Sequence, residues 1–180
     1  MIFPYTETHK AALRLSHSMD GPAVHEFLQK EEMSGLDSLD VFTSTWPRSR
    51  DEVAAQFSVE ELGTGRLAGF TSLHRLSPHS RYVQGCLALP GGDAVAAEAA
   101  ALTVNYAFAM WNIRKVHFWT VAEGLPGLAA TPVTVLCEAT LPEYVYDRGT
   151  LLDINIFAVY RDEWERHGVP YVTALLQESA

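Results

Sequence analysis

Residues 82–121 read YVQGCLAL (82–89), PGGD (90–93), AVAAEAAALTVNYAFAMW (94–111), NIR (112–114) and KVHFWTV (115–121). The first segment is an apolar strand, the second a glycine turn, the third one long Ala-rich helix, and the last another strand. Strand, glycine turn and helix together make an anion cradle. Glycine lets the backbone come close, and the free N–H groups of the first helical turn attract negative charge. Here that turn carries Asp93 and no Arg or Lys. The helix is apolar nearly all round, with Val95, Leu102, Val104, Tyr106, Phe108, Met110 and Trp111, which predicts cover on most of its sides.

Upstream, 11–15 reads as a short strand. Asp20 is a helix N-cap with Pro22 just inside a helix over 22–32, where Val24, Phe27 and Leu28 share one face. A loop over 34–44 and a second helix over 51–57 follow. A strand meander comes next: 58–62, 66–76 and 82–89, joined by Gly63-Thr64-Gly65 and Ser77-Pro78-His79-Ser80. Downstream of the central helix lie strand 115–121, a short helix near 125–131 stopped by Pro132, and strands 143–146 and 152–160. A short helix over 171–177 ends the chain. This order predicts one α+β domain over residues 1–180, with a mostly antiparallel twisted sheet and helices on both faces.

With 180 residues, 48 % of them hydrophobic and 19 % charged, the composition is that of a globular domain with a real core. No apolar run reaches the roughly 20 residues that span a bilayer, and the start lacks a secretory pattern, so the expectation is a cytoplasmic protein without a membrane partner. A net charge of −9 argues against nucleic acid and favours amine-bearing partners. Cys86 and Cys137 have no metal-ligand or CxxC spacing, and no metal site is expected. Walker, HExxH, GxSxG and Rossmann patterns are absent.

Several short motifs occur in a set order: Gly92 to Ala99 with Glu98-Ala99, Tyr106-Ala107-Phe108, Asn112 to Val116, Glu138 to Leu141, Tyr144 to Asp153, and Arg161-Asp162-Glu163-Trp164. Together, over about residues 11–165, they resemble the GNAT superfamily of acyl-CoA-dependent N-acetyltransferases, in its branch of ribosomal-protein alanine N-acetyltransferases. The resemblance implies the GNAT fold and transfer of an acetyl or acyl group from acetyl-CoA or another acyl-CoA to a primary amine of a small molecule or peptide. It implies cofactor contacts at Leu87, Leu89, Gly91, Gly92, Asp93, Ala94, Val95, Ala96 and Glu123. Substrate contacts are implied at Trp46, Cys86 and Trp119, with Arg48 and Arg50 in the same loop as Trp46. Pairing of chains as a homodimer is a further family habit.

The sequence departs from the family pattern in three places. The turn lacks the basic or amide residue, Ala94 replaces a glycine, and Asp93 adds a negative charge. Two unit charges about 5 Å apart repel by on the order of 3 kcal/mol at an effective dielectric near 20, about a hundredfold in affinity. Asp93 also reads as the N-cap of the long helix, which takes an N–H group that a phosphate would use. Glu123 and Ala130 stand where the family has Asn and Tyr. Finally, Val83, Gln84 and Cys86 occupy the positions of the usual Glu base, and none is an obvious base. The remaining acid–base candidates are His74, Glu138 and Tyr144, each of which reads more readily as a structural or exposed residue than as a catalytic one; His117 reads as a core or edge histidine. Three readings stay open: an acyl-CoA-dependent transferase, a transferase whose donor is an acyl carrier protein, and a non-catalytic GNAT-fold binding module.

Overall fold

The structure, a computed structural model, describes residues 1–16, 20–33, 35–47, 49–90 and 93–177. The expected contributions of Gly91, Gly92 and Arg48 therefore lie outside the described residues, as does the Arg50 side chain. Seven strands form one sheet: β1 (Ala11–Leu15), β2 (Val53–Glu61), β3 (Arg66–Ser77), β4 (Tyr82–Ala88), β5 (Lys115–Thr120), β6 (Leu136–Asp147) and β7 (Thr150–Tyr160). Their spatial order is β1-β2-β3-β4-β5-β7-β6. Every pairing is antiparallel except β4 with β5. The crossover joining that parallel pair is the long helix α3 (Ala94–Met110), because parallel strands need a connection of a dozen or more residues. This is a mixed, mostly antiparallel sheet with helices on both faces, as the sequence leads one to expect.

Side chains alternate across the sheet and divide the core in two. One face packs Leu73, Val83, Val116 and Phe118 against α3. The other face packs Phe70 and Ala88 beneath α1 (Gly21–Lys30) and α2 (Leu39–Thr45). As expected, Asp20 caps α1, accepting from the Ala23 N–H at 2.8 Å.

The segment read as a helix over 51–57 is instead a single 3-10 turn, Arg50–Glu52, leading into β2. Phe57 pairs with Leu15 on one side and Thr71 on the other. Two neighbouring strands outweigh a short run of helix formers. The segment read as loop over 34–44 contains α2, which has no side-chain cap. Val41 and Phe42 bury one of its sides, with Trp46 just beyond, so tertiary packing supplies the stability that the local sequence lacks. The short strand expected over 143–146 belongs to a twelve-residue β6. The chain closes with α5 (Arg161–Glu163), a π turn at Trp164–Gly168 and α6 (Val169–Gln177).

The N-terminal segment is tied to the second turn of α3. The Thr8 hydroxyl donates to Glu98 Oε2 at 2.6 Å, and Lys10 Nζ lies 3.5 Å from Glu98 Oε1. Glu98, a motif residue at sequence level, is thus a buried anchor for the strand that enters β1.

Candidate active site

β4 and β5 pair only from Tyr82↔Lys115 to Gly85↔Phe118. Beyond that point they part. On β4, residues 86–88 keep β3 on one edge and have no strand on the other. On β5, Trp119 and Thr120 keep only β7. Gly85 sits at the fork, where a Cβ would lie 2.4 Å from Phe118 Cε1, so only glycine admits the ring beside it.

The fork opens into a cavity of about 260 Å³. One wall is the β4 edge with Cys86, Leu87 and Leu89; another is β5 with Trp119 and Thr120. The α1–α2 segment supplies Met33, Leu36, Asp37 and Phe42, and the bend after β5 supplies Ala122 and Leu125. That bend is held by Asn155 Nδ2 donating to the Ala122 carbonyl at 3.1 Å. Beyond it the short α4 (Pro126–Ala129) packs on α3 where a Cβ on Gly127 would meet Ala100 Cβ at 3.1 Å.

Leu87, Leu89, Cys86 and Trp119 line the cavity. Burial, helped by the charge of Asp37, pushes the Cys86 thiol up to about 12, so it stays a neutral wall group. Burial also raises the Asp37 carboxyl, helped by Asp147 and opposed by His25. Val95 and Ala96 are buried in the first turns of α3, while Asp93 and Ala94 are exposed. Asp93 caps α3, accepting from the Ala96 N–H at 3.0 Å. Glu123 is exposed between the lining residues Ala122 and Gly124 and does not itself line the cavity. Trp46 does not line it either. It is 2 % exposed and stacks on Phe42 at 5.5 Å, a support behind the wall.

The three acid–base candidates separate. Burial raises the Glu138 carboxylate, but hydrogen bonds from Lys115 Nζ and the Tyr160 hydroxyl outweigh this and hold it below its ordinary value. It is a committed ion-pair partner, not a free base. Tyr144 sits where β6 slips register against β7, with Glu143 at φ 53° and its N–H donating to Asp153 Oδ1 at 2.8 Å. The bulge carries Tyr144 edge-on to Trp119, ring centroids 5.9 Å apart. His74 is 2 % exposed on the same sheet face as Trp119. Burial, with Arg75 and then His117, lowers it to about 4. His117, which the sequence reading placed in the core or at an edge, is lowered to about 4 by burial and Lys115. Both rings are neutral at pH 7. No signal in the sequence joined them, because they lie on strands 43 positions apart, with Gln84 of β4 between them.

No protein-family model matches the chain, and no curated protein matches it. Solved structures do resemble it. A GCN5-related N-acetyltransferase from Brucella melitensis has a TM-score of 0.68 at 19 % identity, covering 96 % of this chain and 86 % of that one. A GNAT-family probable acetyltransferase from Chromobacterium violaceum gives 0.63 at 16 %, covering 89 % and 87 %. A spermidine N-acetyltransferase from Vibrio cholerae, solved in complex with CoA and spermine, gives 0.62 at 15 %, covering 87 % and 98 %. These likenesses establish the fold.

Proposed function

We propose that this GNAT-fold chain is an N-acyltransferase that moves an acetyl or acyl group from a thioester to a primary amine. The carrying observation is the unpaired β4 edge, opening into the cavity beside the start of α3. In this reading the pantetheine arm of acetyl-CoA or another acyl-CoA adds to that edge as a strand would, through the side of residues 86–88 that faces away from β3. A backbone N–H of the edge polarises the thioester carbonyl. The neutral amine attacks the carbonyl carbon, the C–N bond forms, the C–S bond breaks, and the departing thiolate takes up the proton the nitrogen loses. Alignment in a closed slot supplies several kcal/mol of such a barrier.

The spermine complex of the Vibrio cholerae neighbour supports a small-molecule amine as acceptor. Motif order favours the ribosomal-protein alanine branch, in which the acceptor is a peptide N-terminus. Calorimetry with acetyl-CoA and CoA tests the donor site. Micromolar binding and thiol release with an amine are expected. Absence of binding to any thioester, free or carrier-bound, overturns the reading in favour of a non-catalytic module.

Asp93 favours a second reading of the donor, since its carboxylate takes the Ala96 N–H and adds charge where a pyrophosphate would lie. An acyl carrier protein presents the same arm with less charge. Asp93 is exposed, so water screens the repulsion, which falls from about 3 to about 1 kcal/mol between effective dielectrics of 20 and 80. Asp93→Asn keeps a capping oxygen and removes the charge. It is expected to raise CoA affinity roughly tenfold, read by calorimetry. Unchanged affinity would mean that the turn does not face the phosphates.

A further inference from the structure

Among the described residues, the only ionisable side chains that line the cavity are Cys86 and Asp37. The Cys86 thiol, pushed up to about 12, stays neutral, so Asp37 carries the charge of the cavity wall. Asp37 belongs to the segment between α1 and α2, just before α2 begins at Leu39. His25 of α1 fixes it there, with Nε2 donating to the Asp37 backbone carbonyl at 2.9 Å. The charge of its carboxylate acts on the Cys86 thiol of β4, which places it toward the cavity.

Among the described residues no cation lies within ion-pair distance of the Asp37 carboxylate. The other candidate carboxylates are committed, Glu138 to Lys115 and Tyr160 and Glu98 to Thr8 and Lys10. Burial opposes the charge of Asp37 first, and Asp147 at the end of β6 opposes it next; the His25 ring favours it, and together with Cys86 these are the titratable groups that act on it. A carboxylate kept where burial and a like charge both oppose it weakens the fold, and such groups gather where protons are bound or moved. A cation in the cavity relieves both effects.

The acceptor supplies that cation. A primary amine near neutral pH is an ammonium ion, with a value of about 8 for a peptide N-terminus and about 10 for an alkylamine, and it attacks nothing until it loses a proton. On the acyltransferase reading above, we infer that Asp37 is the catalytic residue that binds the acceptor's ammonium group and takes one proton from it beside the thioester. The N–H bond breaks, an O–H bond forms on the carboxylate, and the nitrogen keeps the electron pair with which it attacks the carbonyl carbon. After the second proton has gone to the thiolate, Asp37 returns its own to water, which reaches it because the residue is only half-buried. The apolar walls of Met33, Leu36, Phe42 and Leu87 favour the step, since an ammonium and a carboxylate become two neutral groups. The raised carboxyl is also the better base.

The test is thiol release by the whole chain, with spermidine and with alanyl-alanine as acceptors and the thioester that binds, acetyl-CoA or an acyl carrier protein, as donor. With the faster acceptor, kcat/KM of the unmodified protein is expected to be flat between about pH 6 and 7.5, where Asp37 is ionised and the amine protonated. Asp37→Asn keeps the size of the side chain and removes the base. Its kcat/KM should fall about a hundredfold or more at pH 6 and then rise about tenfold per pH unit with the free amine, with donor affinity unchanged within about twofold. A side chain that only shapes the wall would lower the rate equally at every pH, and that result overturns the inference. So does donor binding without thiol release to either acceptor. Asp147 does not line the cavity, and Asp147→Asn removes one cause of the raised carboxyl. It should move the acid limb of the profile to lower pH, and an unmoved limb also overturns the inference. No binding of any thioester overturns the transferase reading itself.

Discussion

Replacing Arg161 by alanine is expected to destabilise the fold by about 3–5 kcal/mol. The Arg161 guanidinium closes the C-terminal end of α3. Nη2 donates to the carbonyls of Phe108 at 3.0 Å and Trp111 at 2.7 Å, and Nε donates to Ile113 at 2.7 Å. The group also lies over the Phe108 ring at 5.0 Å. The last turn of α3 has no basic residue of its own, so this cation is what its open carbonyls and the negative end of the helix dipole meet. Alanine removes these bonds together and leaves part-buried acceptors short of donors. Lysine keeps a charge but not the fork, and should recover less than half of the loss. Urea denaturation measures both. A drop below 1 kcal/mol for alanine would show that water replaces the guanidinium at no cost.

The second large effect is loss of stability in mild acid. His74 has an ordinary value of 6.5 and about 4 in the folded chain. Folding thus disfavours its protonated form, and between these values the unfolded chain binds a proton that the folded one excludes. The contribution is fully present above pH 6.5 and is lost as pH falls toward 4. The drop from 6.5 to about 4 corresponds to about 3 kcal/mol. His117 is shifted in the same direction and adds to the loss. Glu138 is held below its ordinary 4.5, so its own loss begins only at lower pH. Urea midpoints measured from pH 7 to 4.5 should fall steadily, and more shallowly in His74→Gln. A flat profile in the unmodified protein would mean that the rings are solvated in the folded state.

Much of the fold could be read along the chain. The run from strand through Pro90 and Asp93 into an apolar helix is local, and each part has its own signature: alternation, turn residues, cap and length. Asp20 and Asp93 were legible as caps because an N-cap needs only the residue type and the helix that follows. The errors fell where neighbours decide. β2 is a strand because β1 and β3 flank it, and α2 is a helix because its apolar side closes the second core. For the site, the sequence brought up Cys86, Leu87, Leu89 and Trp119, which line the cavity, and also Trp46, His74, Glu123 and Tyr144, which do not.

By itself the sequence determined the helix that crosses between β4 and β5, the acidic cap at its start, and the alternation that sends one set of side chains to each face. These are short-range consequences of residue type and spacing. Only the tertiary structure decided that β4 and β5 part after Gly85, and that His74, Gln84 and His117 stand in one row. Strand register couples residues tens of positions apart, and burial, which sets the charge of an imidazole, is a property of everything packed around it.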